Sequence, residues 1–323
     1  MEIFKYKKPL GFMASSKKFG IMSIVLVVLS LGLLLTKGFN YGIDFAGGTL
    51  IQVKYKNEAP IDKVRDTLNQ NKDFKGAVVT FFGSQEEIVI KIKTVSSAIG
   101  DDIGDKVKTL LSSTGDFEVR RVDMVGPKVG GELKEKGLMA MLLAIIGILM
   151  YVSVRFEWRF AVASVVALMH DISIAIGAII LFQIEVNLDI LAAMLTILGY
   201  SLNDTIIVFD RIREGIATIK SPKLEEVIDE SVSKTLSRTT LTSLTTFFVV
   251  VTLYLFGGEI ISGFSFTLLV GVIVGTYSSI FVASPILMWL KFSITDYRAK
   301  EAAVLKREKE KEKMRAQFEQ GTI

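Results

Sequence analysis

GYSLNDTIIVFDRIRE, residues 199–214, is the stretch on which the reading of the whole chain turns. Its first two thirds have the composition of a membrane-spanning helix, yet Asn203 and Asp204 stand side by side inside the apolar run. A carboxylate in hydrocarbon is costly, and such residues point into a helix bundle or a wet cavity. If the helix enters from outside near Asp189, Asp204 lies about 22 Å along it, inward of the midplane. Helical spacing places Tyr200, Asn203 and Ile207 on its polar face.

The surrounding sequence makes a membrane setting the natural one. Half of the 323 residues are hydrophobic and the mean hydropathy is +0.46, values that belong to a polytopic α-helical membrane protein. The absence of cysteine excludes disulfides and thiolate-based metal sites or nucleophiles. A single histidine argues against a His-rich metal centre. No cofactor is expected, and no nucleic acid as partner.

Six apolar segments are long enough to span about 30 Å of hydrocarbon as helices. They lie near 19–37, 137–154, 160–182, 189–210, 239–257 and 264–290. The first is read as a retained anchor, because no cleavage pattern follows it. Lys and Arg concentrate in residues 1–18, in the turn at Arg155 and Arg159, in the loop 211–238 and in the charged tail 291–323. The loops 183–189 and 256–260 contain neither residue. The bias of basic residues toward the cytoplasm then puts both termini inside and residues 38–136 outside.

That outer stretch is patterned as β-α-β-β-α-β. Strands are expected at 49–56, 77–83, 87–93 and 116–125, with helices at 60–70 and 97–112. The order predicts a small α+β, ferredoxin-like domain. Its entry, YGIDFAGGTL (41–50), carries Gly47 and Gly48; its exit, VGPKVGGEL (125–133), carries Gly126 and Pro127. Glycine permits backbone turns that other residues resist. Such junctions serve either as rigid docking corners or as pivots.

Two further spans bring polar groups into the membrane. His170 and Asp171 lie close to the midplane of the third. The fifth opens with SRTTLTSLTT (237–246), where Arg238, Thr242 and Thr245 share a stripe. Acids, a base and hydroxyls can together relay protons. An Arg beside a carboxylate holds it charged, and withdrawing the Arg lets it take a proton. The competing reading is that these groups are packing glue between helices. By rise alone Arg238 sits about 9 Å deeper toward the cytoplasm than Asp204, so their contact needs tilt, a bridging water or a conformational change. Gly271 and Gly275 in the sixth span form a small-residue step for helix packing, within the chain or against a partner. The tail 298–320 mixes both charge signs and reads as a solvated helix or disordered segment, with anionic lipid or an acidic partner as the other reading.

DFAGG (44–48), VGPKVGGEL (125–133), VRFEWRFA (154–161), the His170–Asp171 pair, GYSLNDTIIVFDRIRE (199–214) and SRTTLTSLTT (237–246) together resemble the SecF side of the SecD/SecF family of bacterial protein export. The resemblance covers essentially the whole chain. It implies half of an RND-type membrane core, completed by SecD, in the bacterial cytoplasmic membrane. It implies that the pair uses the proton-motive force, or a sodium gradient, to draw an exported preprotein outward past SecYEG and SecA. YajC and YidC are further candidate partners beside the lipid bilayer. Carried over by motif, Asp204 is the proton-carrying acid, Arg238 its regulating cation, and Thr242 lines the same path; Asn203, His170 and Asp171 are candidates for that path from the reading of the residues themselves. Asp44, Phe45, Gly47 and Gly48 carry over as a structural motif. No enzymatic activity is implied. The rival readings are an RND-like exporter half for lipids or small amphiphiles, against which the short outer domain argues, and a passive scaffold.

Overall fold

The structure is a computed structural model that describes residues 9–92 and 103–319. Among these residues, six helices are long and apolar enough to cross a membrane. They are α1 (Ser16–Thr36), α5 (Pro127–Arg155), α6 (Trp158–Leu181), α7 (Leu188–Thr218), α8 (Leu224–Phe256) and α9 (Gly258–Ser278). A π-helical turn at Ser279–Ala283 prolongs the last of these into α10 (Ser284–Trp289). A tail helix, α11 (Ile294–Glu319), follows.

The residues between the first two spans fold as the alternation predicts. After a short helix, α2 (Ile43–Ala46), come β1 (Gly48–Tyr55), α3 (Ile61–Gln70), β2 (Val78–Phe82), β3 (Ser84–Ile92), α4 (Ile103–Leu111) and β4 (Phe117–Val125). The strands pair antiparallel in the order β2-β3-β1-β4, which is the ferredoxin-like topology. Every second residue of β1 (Ile51, Val53, Tyr55) turns inward, and these meet Val64 and Leu68 of α3 and Val107 and Leu111 of α4 in one core. Strand β3 begins at Ser84, earlier than expected, because Gly83 at φ +74° closes the hairpin directly. The beginning of the helix expected at 97–112 falls outside the described residues.

The spans fall into two groups. Helices α6, α7 and α9 are substantially buried, whereas α1, α5 and α8 expose most of their apolar surface. Gly271 and Gly275 bring α9 against Ile197 and Ser201 of α7, so the small-residue step works within the chain. Helix α1 buries only serines, Ser16, Ser23 and Ser30; Ser30 packs against Gly177 of α6.

The segment expected as a cytoplasmic loop, 211–238, is instead mostly helical. Helix α7 runs to Thr218 and α8 starts at Leu224. Ile212 and Ile216 of α7 pack with Val227, Ile228 and Val232 of α8 in one buried cluster. A hydropathy window sees the charges on the outer faces of these ends and overlooks the apolar stripe between them.

The two glycine junctions meet each other. A side chain at Gly47 would contact Pro127, and one at Gly130 would press on the backbone of Phe45 and Gly47. Gly48 lies at φ +151°, with the Ile92 carbonyl 2.4 Å from where a Cβ would stand. Gly48→Ala is therefore expected to destabilise this corner by roughly 1–3 kcal/mol, through a conformation that side chains rarely adopt. Limited proteolysis of the full chain should show faster cleavage of the outer domain; unchanged digestion would mean the corner relaxes.

Candidate functional site

The polar groups inside the bundle separate into two clusters with different character. The first centres on Asp171 of α6, which is fully buried. Its Oδ1 lies 2.8 Å from His170 Nδ1, and its Oδ2 accepts hydrogen bonds from Ser201 Oγ of α7 at 2.5 Å and Ser278 Oγ of α9 at 2.7 Å. One carboxyl group thus ties together the three inner helices. His170 is also buried, and its Nε2 has no hydrogen-bond partner. Its ring lies 6.1 Å from that of Tyr277, whose hydroxyl donates to Phe19 O of α1 at 2.7 Å.

The second cluster centres on Asp204 of α7, equally buried but differently held. Its Oδ2 meets only Ser243 Oγ of α8, at a long 3.3 Å, and its Oδ1 has no hydrogen-bond partner. The Ser243 hydroxyl also receives a hydrogen bond from Thr276 Oγ1 of α9 at 2.8 Å. The Tyr200 hydroxyl, one turn before Asp204, is likewise buried and unpartnered, as is that of Thr239, one turn before Ser243. Buried polar groups are nearly always satisfied, and such exceptions call for an explanation, whether bound water, an ion or a functional role.

The other expected residues are arranged less tightly. Asn203 is exposed and does not share the Asp204 face, because successive helical residues differ by about 100°. Arg238 is exposed and makes no contact with Asp204; it lies about 7.5 Å along α8 from Ser243 by helical rise. It lines an open cleft of about 720 Å³ with Asp210 and Glu214 of α7 and Lys234 of α8. Thr242 is exposed on the same side, its hydroxyl donating to the Arg238 and Thr239 carbonyls. Ser201, Ser243, Thr276 and Ser278 were not singled out as site residues, since serine and threonine are common in membrane helices. Which of them face Asp171 and Asp204 is set by helix rotation in the bundle and leaves no signal in the sequence.

The outer junction sits directly above α7. Asp44 Oδ2 accepts from Leu188 N at 3.0 Å, at the first turn of α7. Gly42 N donates to Val186 O at 2.8 Å, and Val186 N to Asn40 O at 2.8 Å. Lys91 of β3 pairs with Glu185 in the same loop. Phe45 stacks edge-on to Tyr41, and Gly126 precedes Pro127 at the first position of α5. Asp44 thus contacts the start of α7 and Gly47 meets Pro127 at the start of α5, whereas a Cβ at Gly126 would meet nothing within 4 Å.

A six-span bundle with a polar interior, joined to a ferredoxin-like domain that contacts the start of α7, defines a multi-pass membrane protein. Residues 106–293 match the family described as "Protein export membrane protein SecD/SecF, C-terminal", and residues 32–59 match the "SecD/SecF GG Motif". The chain belongs to the SecD/SecF family, on its SecF side. A protein named "Protein translocase subunit SecF" from Helicobacter pylori (strain J99) is 52% identical over 100% of both chains. One of the same name from Vibrio alginolyticus is 46% identical over 90% of this chain and 92% of its own. The crystal structure of SecDF from Thermus thermophilus superposes with a TM-score of 0.79 at 35% identity. That match covers 90% of this chain but 40% of the Thermus chain, so this chain spans less than half of that longer protein.

Proposed function

We propose that the chain is an ion-gradient-coupled subunit of the bacterial protein-export machinery, with both termini in the cytoplasm and the ferredoxin-like domain outside. The observation that carries this reading is the contrast between two buried carboxyl groups. Asp171 has a full set of partners and fixes the bundle. Asp204 is as deeply buried but has one long contact and one free oxygen. Uncompensated burial of that kind in a membrane is retained for ion transport.

The path enters through the cleft lined by Arg238, Asp210, Glu214 and Thr235 and reaches Asp204 along the buried face of α8 through Thr239 and Ser243, with Thr242 at its exposed edge. Arg238 regulates the acid through a change in their separation, since the two do not touch in this arrangement. The carried ion is the proton, with sodium as the alternative.

Helix α8 turns Arg238, Thr242 and Thr245 outward among exposed Leu241, Leu244 and Phe248. Polar groups on a membrane-facing surface call for cover by another protein. SecD, fused to the corresponding half in the solved SecDF chains, is the partner of the right shape. SecYEG with SecA, and beyond them YajC and YidC, complete the proposed surroundings, in which an emerging preprotein is released outward.

Inverted membrane vesicles test the proposal. With the chain and SecD present, an imposed proton gradient is expected to accelerate late translocation, and vesicles lacking the chain are expected not to respond. A response to sodium alone would reassign the ion; no response to either would overturn the reading. Arg238→Lys keeps the charge but loses the planar fork. A several-fold fall in the gradient-dependent rate is expected, and full activity would show that a point charge suffices.

A further inference from the structure

We infer that the turn between α5 and α6, together with the start of α11, forms a binding site for the phosphate headgroup of an anionic lipid. A cavity of about 630 Å³ opens there, lined by Arg155, Trp158, Arg159, Arg213, Tyr297 and Lys300 among others. The site joins three sequence regions, around residues 153–160, 213 and 297–304. It is separate from Asp204 and Arg238, though Asp210 and Arg213 border both this cavity and the cleft beside Arg238.

Three observations set its chemistry. The first is charge. Arg155 and Arg213 share one carboxylate, Asp210, at 3.3 and 3.0 Å, and Lys300 pairs with Glu157 at 3.3 Å. Four cations thus face two carboxylates.

The second is the state of Arg159. Its Nε is buried without a hydrogen-bond partner, and it pairs with no carboxylate among the described residues. Its guanidinium instead lies over the Trp158 ring at 5.3 Å and the Phe292 ring at 5.9 Å. A stacked guanidinium with unused donors is suited to planar, bidentate recognition of a phosphate.

The third is the surface beside the cavity. Met150, Tyr151 and Val154 of α5 are 60%, 54% and 90% exposed, and Trp158 is 59% exposed. This apolar strip runs from the membrane-spanning part of α5 straight to the basic cavity, with Trp at the boundary where interfacial aromatics gather. A free phosphate would use the arginines and leave the strip unexplained. A lipid uses both, its headgroup in the cavity and an acyl chain along α5. Basic pockets between helices at this level are suited to anionic headgroups.

The test uses the full chain purified with its partner subunit in detergent, then supplied with phosphatidylglycerol or phosphatidylcholine and examined by native mass spectrometry. Wild type is expected to retain phosphatidylglycerol about tenfold more tightly than phosphatidylcholine. Arg159→Gln and, separately, Lys300→Gln are expected to remove most of that preference. Lys300 lies on the exposed rim, so its replacement tests the site without disturbing the packed ring stack. Equal retention of the two lipids by wild type overturns the proposal, whatever the variants do. A preference that survives both substitutions places the lipid elsewhere and overturns it too. Displacement of the bound lipid by millimolar inorganic phosphate would show a phosphate site and reject the lipid as its occupant.

Discussion

Asp204→Asn is expected to abolish the gradient-dependent part of export while leaving the chain assembled with its partner. The substitution is nearly isosteric. The amide oxygen of Asn can still accept from Ser243, so the only hydrogen bond the carboxyl group makes is kept. What is lost is the capacity to bind and release an ion during a transport cycle. If Asp204 is the carrier, no partial activity should survive, because a relay with its central acid neutralised has no other buried carboxyl group on this helix. A fall of at least tenfold in the gradient-dependent rate is expected, equivalent to about 1.4 kcal/mol or more in barrier terms. Co-purification with the partner should be unchanged. Normal gradient-dependent export by the variant would reduce Asp204 to packing glue and send the search for the carrier to the partner chain.

Asp171→Ala is expected to do the opposite damage. It would strand the hydroxyls of Ser201 and Ser278 and leave His170 Nδ1 without its acceptor, all inside the bundle. Interhelical hydrogen bonds in membranes contribute on average about 0.6 kcal/mol each, with a maximum near 1.7. Three of them, together with a cavity at the meeting point of α6, α7 and α9, give an expected loss of roughly 2–4 kcal/mol. The variant should unfold at lower temperature and yield less assembled complex. Asp171→Asn provides the control. Its oxygen can accept from both serines, and its amide can donate to His170 if that ring carries its proton on Nε2. Asn should therefore restore most of the stability. If Ala and Asn both assemble normally but block export, Asp171 belongs to the ion path and the division between the two clusters fails.

The parts of this protein that were readable from sequence are those whose pattern is local. Apolar length gave the spans, and alternation with turn residues gave the ferredoxin-like order; both depend on a few neighbouring residues. Asp204 was conspicuous because a charge in an apolar run is rare. The pairing of groups across helices was not readable in the same way. Nothing in SRTTLTSLTT distinguishes Ser243, which touches Asp204, from Thr242 and Thr245, which face outward, because the choice is made by the rotation of α8 in the bundle. Asn203 was misplaced for the same reason, since adjacency in sequence is not adjacency on a helix. The helical hairpin across 211–238 was missed because its apolar stripe becomes visible only when α7 and α8 are laid side by side. The glycine junctions were recognised as special, yet the sequence left docking corner and pivot equally open. Their mutual contact through Gly47, Pro127 and Gly130 gives the packed corner.

Helix α7 has 31 residues, so it is about 46 Å long and outreaches a hydrocarbon layer of about 30 Å at its ends. Both ends are fastened by distant parts of the chain. Asp44 holds the first turn through Leu188 N, and Arg298 of α11 donates to the carbonyls of Ile216 and Ile219 at 2.7 and 2.5 Å. The helix that bears Asp204 is accordingly tethered at both of its ends to distant parts of the chain. Sliding along its axis would break one of these hydrogen bonds or carry the tethered segment with it. Under the proposed function, a load on the ferredoxin-like domain reaches the helix that bears Asp204 through the Asp44 contact.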